Sequence, residues 1–379
     1  MTTGPAVANV CVTGMAWTTA LGDDLPGVWD RLLAGDDGFR EVPSEHPVRN
    51  PLAAVLDAPP LERRPSERQR AIAADALCRA LDDAASPEDP LAVLGTGFGA
   101  LLDDDDGDLY AWASDVRVRA GLRRPPVAVG TACCSGADAI AVGFELVRSG
   151  AAEVCVCGAA DVLTPVKRLA HTALGTMSPT RLRAFDRSAD GTLLGEAAGF
   201  VVLEPEDAAR ARGVRPYAVL NGAGAANDGG GLTAPDPAGI GAVLAARRCL
   251  AMGGLRPGEV TVVNAHGSGT PANDHAESRA LARLFAGCRP RPVAFATKGA
   301  FGHTLGASGA IEAIALILAL GARTVPPVAG LAEPLGGFPV PLPTTTPLPV
   351  LPGTGLSLTL GFGGFVTGLA FTPGERRAC

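Results

Sequence analysis

A cysteine lies where a short apolar run meets a helical pattern, in Val129-Gly130-Thr131-Ala132-Cys133-Cys134-Ser135-Gly136. The free N–H groups and positive dipole end of a helix favour a thiolate over a thiol. Cys133 is therefore placed as a nucleophile for covalent catalysis. A small residue needed only for packing in the turn would look the same, so this segment alone leaves both interpretations open.

Histidines and a lysine follow two later apolar runs. His266 lies in Asn264-Ala265-His266-Gly267-Ser268-Gly269-Thr270-Pro271, where glycines leave the imidazole accessible and hydroxyl residues offer hydrogen bonds to a polar ligand. Lys298 and His303 lie in Thr297-Lys298-Gly299-Ala300-Phe301-Gly302-His303-Thr304-Leu305-Gly306, again between a strand pattern and a helix pattern. A lone histidine at a strand end is more often a satisfied core group, but three such segments together favour an active site.

Lysine is rare in this chain, which marks one position independently of any motif. Only two of the 32 basic residues are lysines, Lys167 and Lys298. Because nearly every other positive charge is an arginine, the lysine between the two histidine segments indicates a requirement for that side chain.

The elements that must position these residues alternate along the whole chain. Short apolar runs and longer helical patterns indicate an α/β fold with largely buried strands. The predicted strands are 8–13, 91–95, 127–130, 153–158, 199–203, 261–265, 293–297 and 355–360. The predicted helices are 25–33, 68–82, 134–149, 240–252, 274–285 and 306–320.

A length of 379 residues exceeds the usual limit for one hydrophobic core, so two domains or a duplicated core are expected. A weak internal echo favours duplication, because Ser135-Gly136-Ala137-Asp138-Ala139-Ile140 resembles Ser308-Gly309-Ala310-Ile311-Glu312-Ala313-Ile314. The small residues would let the two helices pack closely. We expect one half at 1–206, with the nucleophile, and the other at 207–379, with both histidines.

Composition excludes several classes of protein. With 47% hydrophobic and 19% charged residues the chain is globular, and a net charge of −7 gives no reason to expect nucleic acid or a membrane surface as partner. The longest apolar helical run, 313–322, is too short to span a bilayer. Nine cysteines without a secretory signal favour a reducing cytoplasm, and none has the spacing of a metal site.

The ordered motifs resemble those of β-ketoacyl-acyl carrier protein synthases of the elongating type, which have the thiolase fold. The resemblance runs nearly from end to end. Besides the three segments above, it rests on Val12-Thr13-Gly14-Met15, Phe185-Asp186-Arg187-Ser188-Ala189-Asp190-Gly191, Gly195-Glu196, Thr233-Ala234-Pro235 and Gly361-Phe362-Gly363-Gly364.

The resemblance implies a five-layered αβαβα fold of two similar halves, usually dimeric, with either a second copy or a related ketosynthase-like subunit. It also implies a reaction. An acyl group moves from a phosphopantetheine thioester on an acyl carrier protein to Cys133, and then condenses with a malonyl thioester that loses carbon dioxide. The pantetheine arm belongs to the substrate, and no bound cofactor or metal is expected.

The resemblance assigns roles residue by residue. His266 and His303 would be the two catalytic histidines, neutral donors to the enolate oxygen. Lys298 with Glu277 would order the histidine region, and the N–H groups of Cys133 and Phe362 would hold the acyl oxyanion. The remaining substrate contacts are assigned to Ser268, Thr270, Gly361, Phe362, Gly363, Asp228 and His171.

Several positions depart from the family pattern. The usual Thr-Asn after Gly364 is Phe365-Val366, which removes side-chain hydrogen bonds from the gate loop to the loop with Asp228. His171 replaces a phenylalanine of the acyl pocket, as a polar substrate contact, a proton donor or a partly buried histidine. The pocket segment before Val127 is short. These departures favour a polyketide or modified fatty-acyl substrate.

A basic segment, Arg63, Arg64, Arg68 and Arg70, is the most concentrated positive charge available to receive an acidic carrier protein. A plain solvated helix is a close alternative, because Glu62 and Glu67 dilute the charge.

Three other functions remain open on sequence alone. An acyltransferase on the same fold would pass the acyl group from Cys133 to a heteroatom. A non-catalytic partner subunit would leave Cys133 idle. A dinucleotide oxidoreductase would rest on Gly95-Thr96-Gly97-Phe98-Gly99-Ala100, a weak signal without the expected acidic residue after the next strand.

Overall fold

A computed structural model describes residues 9–97, 99–104 and 108–376. A ten-stranded mixed sheet runs through these residues. Its strands are β1 (Val10–Thr19), β2 (Leu91–Gly95), β3 (Val127–Val129), β4 (Cys155–Asp161), β5 (Ala197–Pro205), β6 (Ala218–Asn227), β7 (Val260–Asn264), β8 (Val293–Phe295), β9 (Thr354–Leu360) and β10 (Phe365–Pro373). Two small hairpin-like pairs lie outside it, Phe39–Glu41 with Leu52–Ala54 and Thr324–Val325 with Leu348–Pro349.

Six long helices cover and separate the two halves of the sheet. They are α1 (Pro65–Asp83), α2 (Leu109–Arg119), α3 (Ser135–Arg148), α4 (Ile240–Met252), α5 (Pro271–Leu284) and α6 (Ser308–Ala322). Shorter helices are Leu25–Ala34, Gly99–Asp104, Pro165–Ala173, Glu206–Ala211 and Lys298–Phe301.

The strand order shows the duplication directly. From the middle of the sheet outward, the first half runs β1-β5-β4-β2-β3 and the second runs β6-β10-β9-β7-β8, the same order in both. In each half the two outer pairs are parallel and the two inner pairs antiparallel. The halves join where β1 pairs with β6 over Val10–Val12.

The layers follow from which helices pack on which strands. Helices α1 and α2 cover the outer face of the first half, and α4 covers that of the second, with α5 packed against α4. Helices α3 and α6 pack against each other and against both halves of the sheet. The five-layered αβαβα fold of two similar halves is therefore confirmed.

The two central helices cross at small residues, as the sequence echo predicts. A Cβ added at Gly309 would lie 2.6 Å from the Cβ and 2.7 Å from the backbone nitrogen of Ala137. A Cβ added at Gly136 would lie 2.9 Å from the nitrogen of Ala310. Each helix starts from a turn whose first residue has a positive φ, 51° at Ala132 and 49° at Leu305. These paired turns hold the active-site segments of the two halves face to face.

Replacing Gly309 by alanine should lower the free energy of unfolding by about 1–3 kcal/mol, because the added methyl group meets backbone that cannot move aside. Gly321 lies on the same helix with no neighbouring atom within 4 Å. Gly321→Ala should therefore raise stability by about 0.5–1 kcal/mol through its better helix propensity. Chemical denaturation compares the two variants, and equal effects at the two sites would refute the close crossing.

One sequence expectation about membranes needs correction. The apolar helical stretch extends over Leu305–Ala322, 18 residues with mean hydropathy 1.9, and by length and composition it could cross a bilayer. In the fold, 89% of that stretch is buried inside the protein. It is the central core helix with its preceding turn, which explains why it is so apolar.

Candidate active site

Four of the predicted catalytic residues line one cavity of about 260 Å³, whereas Lys298 and Glu277 are not part of its lining. Cys133 comes from the turn before α3, His266 from the end of β7, His303 from the segment before α6, and Phe362 from the turn between β9 and β10. The cavity is lined by Cys133, His171, Leu174, Thr176, Thr192, Asp228, 231–235, His266, Ser268, Thr270, Ala272, Asn273, His303, 360–362 and 364–366.

Cys133 is buried, and its environment differs from the sequence expectation. Burial raises the pKa of the Cys133 thiol to about 11, although the Lys298 ammonium and a hydrogen bond from the Phe362 N–H lower it. This raised pKa differs from the sequence expectation that the start of the helix favours the thiolate over the thiol. Loss of solvation outweighs the favourable position at the helix start, so the resting residue is a thiol.

Alkylation of Cys133 should report this raised pKa. Its rate with iodoacetamide, followed on the Cys133 peptide by mass spectrometry, should keep rising beyond pH 10, because only the thiolate reacts and the pKa is about 11. A rate that levels off near pH 7 would instead show an activated thiolate. The partly exposed Cys78 and Cys288 give separate peptides and do not interfere.

His266 is held in one tautomer by the lysine that the composition marked. The Lys298 ammonium lies 3.2 Å from Nδ1 of His266 and also donates to its carbonyl oxygen at 2.6 Å. An ammonium group has no acceptor, so Nδ1 must accept and the proton lies on Nε2. Burial, with Lys298 and His303 nearby, lowers the pKa of His266 well below its usual range.

His303 is held the same way by its own segment. The backbone N–H of Leu305 donates to Nδ1 of His303 at 3.2 Å, and Ser308 Oγ lies 3.0 Å from the same nitrogen. This again places the proton on Nε2. Burial, with Lys298 and His171 nearby, lowers the pKa of His303 well below its usual range. The two rings meet edge to face at 5.3 Å, a pair of neutral N–H donors.

Lys298 has a partner that sequence reasoning missed. Its ammonium forms an ion pair with Glu312 on α6, and both side chains are almost completely buried. Among the described residues, Glu277 has no hydrogen bond or ion pair with Lys298, although the charge of Lys298 lowers its pKa. Its carboxylate accepts the N–H groups of His266 at 2.6 Å and Gly267 at 2.9 Å. Burial raises the pKa of Glu277 to about 7. The sequence did offer a signal for Glu312, because it is the lone glutamate within an otherwise apolar helix.

The gate loop is tied down despite the unusual Phe365-Val366. Asn227 Nδ2 donates to the carbonyl of Gly363 at 2.8 Å, and the Gly363 N–H donates to Leu232 at 2.7 Å. Asp228 adds a backbone bond to Gly364 at 3.0 Å. Gly363 and Gly364 have φ of 84° and 77°, which favours glycine. The segment around Asp228 therefore holds this loop by other hydrogen bonds.

The expected substrate contacts differ in how they meet the cavity. Ser268 and Thr270 line it with their hydroxyl oxygens 2.9 Å apart. Gly361 also lines it, where a Cβ would lie 3.2 Å from Cys134 Sγ. Gly363 is exposed and supports the loop instead. Metal-binding groups of three or more His, Cys, Asp or Glu are absent among the described residues.

His171 is a buried residue of the cavity wall. Its ring stacks on Phe362 with centroids 5.8 Å apart and planes at 25°. Nδ1 lies 2.9 Å from Thr176 Oγ1. Burial, with Lys167 nearby, lowers the pKa of His171 to about 4, so the ring is neutral.

Only two of the four arginines in the basic segment are exposed and available for docking. Arg68 is 1% exposed and pairs with Glu196 at 2.7 Å, and Arg70 is 5% exposed and pairs with Asp115 at 3.0 Å. Their inclusion in a docking surface is therefore wrong, because helix α1 turns both into the protein. Arg63 and Arg64 are exposed beside an open groove of about 650 Å³.

Replacing Arg68 by alanine should lower stability by about 3–5 kcal/mol, because it leaves the Glu196 carboxylate buried without its cation. Arg64→Ala, whose exposed side chain lies 3.9 Å from Asp104, should change stability by less than about 1 kcal/mol. Thermal unfolding of both variants tests this, and equally small losses would contradict the buried pair.

The glycine-rich turn after β2 has a structural use. The Gly97 N–H donates to Asp161 Oδ2 at 2.7 Å, and the Gly306 N–H donates to the same oxygen at 2.8 Å. Lys167, the other lysine, pairs with Asp161 and is also buried. The Gly97 donor is thus occupied rather than free for a phosphate, while Phe98 lies outside the described residues.

The fold and this site define a condensing enzyme of the thiolase superfamily, and comparison with known proteins agrees. The β-ketoacyl synthase N-terminal domain matches residues 110–209, and the β-ketoacyl synthase C-terminal domain matches residues 217–332. The chain belongs to the β-ketoacyl synthase family. It is a ketosynthase, an acyltransferase that catalyses condensation in fatty-acid or polyketide synthesis.

Similar proteins cover nearly the whole chain. A 3-oxoacyl-[acyl-carrier-protein] synthase 2 of Mycobacterium tuberculosis (strain ATCC 25618 / H37Rv) is 31% identical, covering 98% of this chain and 99% of the relative. A β-ketoacyl synthase crystal structure from Burkholderia phymatum STM815 has a TM-score of 0.84 at 27% identity, covering 97% and 100%. The ishigamide ketosynthase/chain length factor has a TM-score of 0.85 at 25% identity, covering 97% and 100%.

Proposed function

We propose that this ketosynthase carries out decarboxylative condensation through Cys133, His266 and His303, with acyl and malonyl groups delivered on the phosphopantetheine arm of an acyl carrier protein. The observation that supports it most is the pair of imidazoles beside Cys133, each with Nδ1 occupied as an acceptor. Two neutral imidazoles whose rings meet at 5.3 Å in the cavity of Cys133 suit a developing enolate oxygen as Nε2–H donors, which a lone structural histidine would not require.

The first half-reaction forms the bond from Cys133 Sγ to the acyl carbon and breaks the pantetheine thioester. Because the resting residue is a thiol and both histidines already carry their proton on Nε2, the thiol proton passes to the departing pantetheine sulfur. The N–H of Phe362 already donates to Cys133 Sγ, so the oxyanion site lies beside the nucleophile. The N–H of Cys133 is its second donor.

In the second half-reaction, malonyl thioester loses carbon dioxide and the bonding electrons form an enolate. The Nε2–H groups of His266 and His303 stabilise its oxygen. The enolate carbon then attacks the acyl carbon, and Cys133 leaves as a thiolate that takes a proton from solvent water. Ser268 and Thr270 hold the pantetheine arm at the cavity wall.

Intact mass measurement of the protein after incubation with acyl carrier protein tests this sequence of steps. We expect an acyl adduct, then carbon dioxide release and a β-keto product once malonyl carrier protein is added. An adduct without condensation would favour transfer to a heteroatom nucleophile. The absence of any adduct would favour a non-catalytic partner subunit.

The carrier protein would dock near Arg63 and Arg64, the exposed remainder of the basic segment. Reversing both charges to glutamate should raise KM for acyl carrier protein about tenfold, because it removes attraction to an acidic partner. KM for the acyl pantetheine without the protein should stay unchanged. Equal effects on both substrates would contradict docking at this segment.

A dimer would form along β3, the outer strand of the first half, whose three residues are half-buried and have an unpaired edge. Either a second copy or a related ketosynthase-like subunit could extend the sheet there. The ishigamide neighbour is a ketosynthase with a chain length factor, which supports the second arrangement and a polyketide pathway.

The eight described cysteines are free, consistent with the cytoplasm.

A further inference from the structure

One wall of the active-site cavity carries polar side chains that have no role in the condensation chemistry. His171, Thr176 and Thr192 line the same cavity as Cys133. They come from two segments joined by backbone hydrogen bonds, from the Thr192 N–H to Thr176 and from the Ser178 N–H to Thr192, each 2.8 Å long. The backbone at Thr192 is therefore fixed beside that of Thr176, whose hydroxyl contacts the His171 ring.

Thr192 is the least explained of the three. Its side chain is 2% exposed, and Oγ1 has no hydrogen-bond partner among the described residues. A buried unpaired hydroxyl costs about 1–3 kcal/mol, which a valine of the same shape would avoid. A hydroxyl group at the cavity wall without a protein partner points to one supplied by a ligand.

His171 offers a second open position. Its Nδ1 is engaged by Thr176 Oγ1 at 2.9 Å, and its other ring nitrogen has no partner in the described part of the chain. The ring is buried and neutral, and both cations near it on its helix are engaged, Lys167 with Asp161 and Arg168 with the carbonyl oxygens of Val42 and Pro43. A neutral imidazole suits an uncharged oxygen, as donor or acceptor according to its tautomer.

We propose that His171, Thr176 and Thr192 form a polar subsite for an oxygen atom of the acyl chain, so that the preferred acyl substrate is oxygenated rather than a saturated hydrocarbon chain. A saturated chain would leave Thr192 Oγ1 and the imidazole nitrogen unpaired. A hydroxyl or keto oxygen would pair with them. The proposal rests on the proposed function, because it concerns the acyl group bound for Cys133.

An oxygenated acyl substrate also indicates which class of reaction supplies it. Each condensation adds two carbons and leaves a keto oxygen at C3 of the new chain. A chain that still carries oxygen must therefore come from an earlier condensation whose keto group was kept or only reduced to a hydroxyl. The subsite would select such products over fully reduced chains.

Binding of matched amide analogues tests the subsite without requiring reaction at Cys133. Hexanoyl-, 3-hydroxyhexanoyl- and 5-hydroxyhexanoyl-amide analogues of acyl pantetheine differ only in one oxygen. By calorimetry, the wild-type protein should bind one hydroxylated analogue about tenfold more tightly than the hexanoyl analogue. Thr192→Val, which removes the hydroxyl, and His171→Phe, which keeps the ring against Phe362, should each reduce that ratio at least threefold.

Ser357→Ala is the matched control. Ser357 is 2% exposed and its hydroxyl also lacks a partner among the described residues, but it does not line the cavity. This variant should keep the wild-type ratio. Equal binding of all three analogues to the wild type, or a ratio unaffected by both Thr192→Val and His171→Phe, would overturn the subsite.

Thioester substrates separate this proposal from the condensation itself. Equal binding of the amides together with normal acylation of Cys133 would defeat the subsite alone. A hydroxyl preference among the amides with no adduct on Cys133 from any thioester would defeat the condensation alone. If His171→Phe slowed condensation equally for both kinds of chain, with binding ratios unchanged, His171 would act in catalysis and not in selection.

Discussion

Replacing Cys133 by alanine should abolish the acyl adduct and the β-keto product, because no other thiol lines the cavity among the described residues. The loss should be complete rather than partial, since the adduct is the intermediate itself. Folding should be unaffected, because alanine fits the turn between Thr131 and Ser135. Intact mass after incubation with acyl carrier protein measures the adduct directly.

His266→Ala should give the opposite pattern. The acyl adduct on Cys133 should still form, but carbon dioxide release from malonyl carrier protein should fall by about 10²–10³-fold, the usual effect of losing one preorganised donor. Cys133→Ala should retain carbon dioxide release, because the donors of His266 and His303 do not depend on the thiol. If both variants lost both activities equally, the division of the two half-reactions would be wrong.

The second large effect is expected at the buried ion pair. Lys298→Met should lower the free energy of unfolding by about 3–5 kcal/mol, because it leaves the Glu312 carboxylate buried without its cation. It should also remove the donor that fixes the tautomer of His266. Denaturation and carbon dioxide release report these two consequences separately.

The double variant Lys298→Met with Glu312→Leu distinguishes stability from positioning. Replacing a buried pair by apolar residues of similar size is often neutral, so the double variant should regain most of the lost stability. Carbon dioxide release should stay about 10²-fold below wild type, because His266 Nδ1 still lacks its donor. Recovery of activity together with stability would show that Lys298 acts only by supporting the fold.

Sequence patterns predicted most strands of the sheet but missed two, of which only β6 has a weak strand signal. Eight of the strands in the sheet were expected, whereas β6 and β10 were not. The β6 segment Ala218–Asn227 contains alanine, glycine and asparagine in place of β-branched residues, because helix α4 packs closely on it. Only the packing shows why small residues form a strand there. The division at 206/207 stays a prediction.

For the site residues too, local sequence signals were informative and contacts between distant parts of the chain were not. Local sequence marked Cys133, His266 and His303 because each follows a strand and carries its own chemistry. Side-chain partners far apart in sequence were not visible, so Glu312 was missed. Arg68 and Arg70 were misassigned for the related reason that their partners, Glu196 and Asp115, are far away in sequence. The rarity of lysine was informative at both positions, since Lys167 and Lys298 each form a buried ion pair.

The paired turns before α3 and α6 make the two halves unequal in chemistry. In the second turn, Gly306 occupies the place that Cys133 has in the first, and a side chain there would overlap the backbone nitrogen of Gly97. The position equivalent to Cys133 in the second half therefore cannot carry a side chain, because the main chain of the first half occupies that space. The first turn supplies the reactive sulfur, and the second supports His303 through the hydrogen bond from the Leu305 N–H. The duplication therefore created a single catalytic centre with two specialised sides.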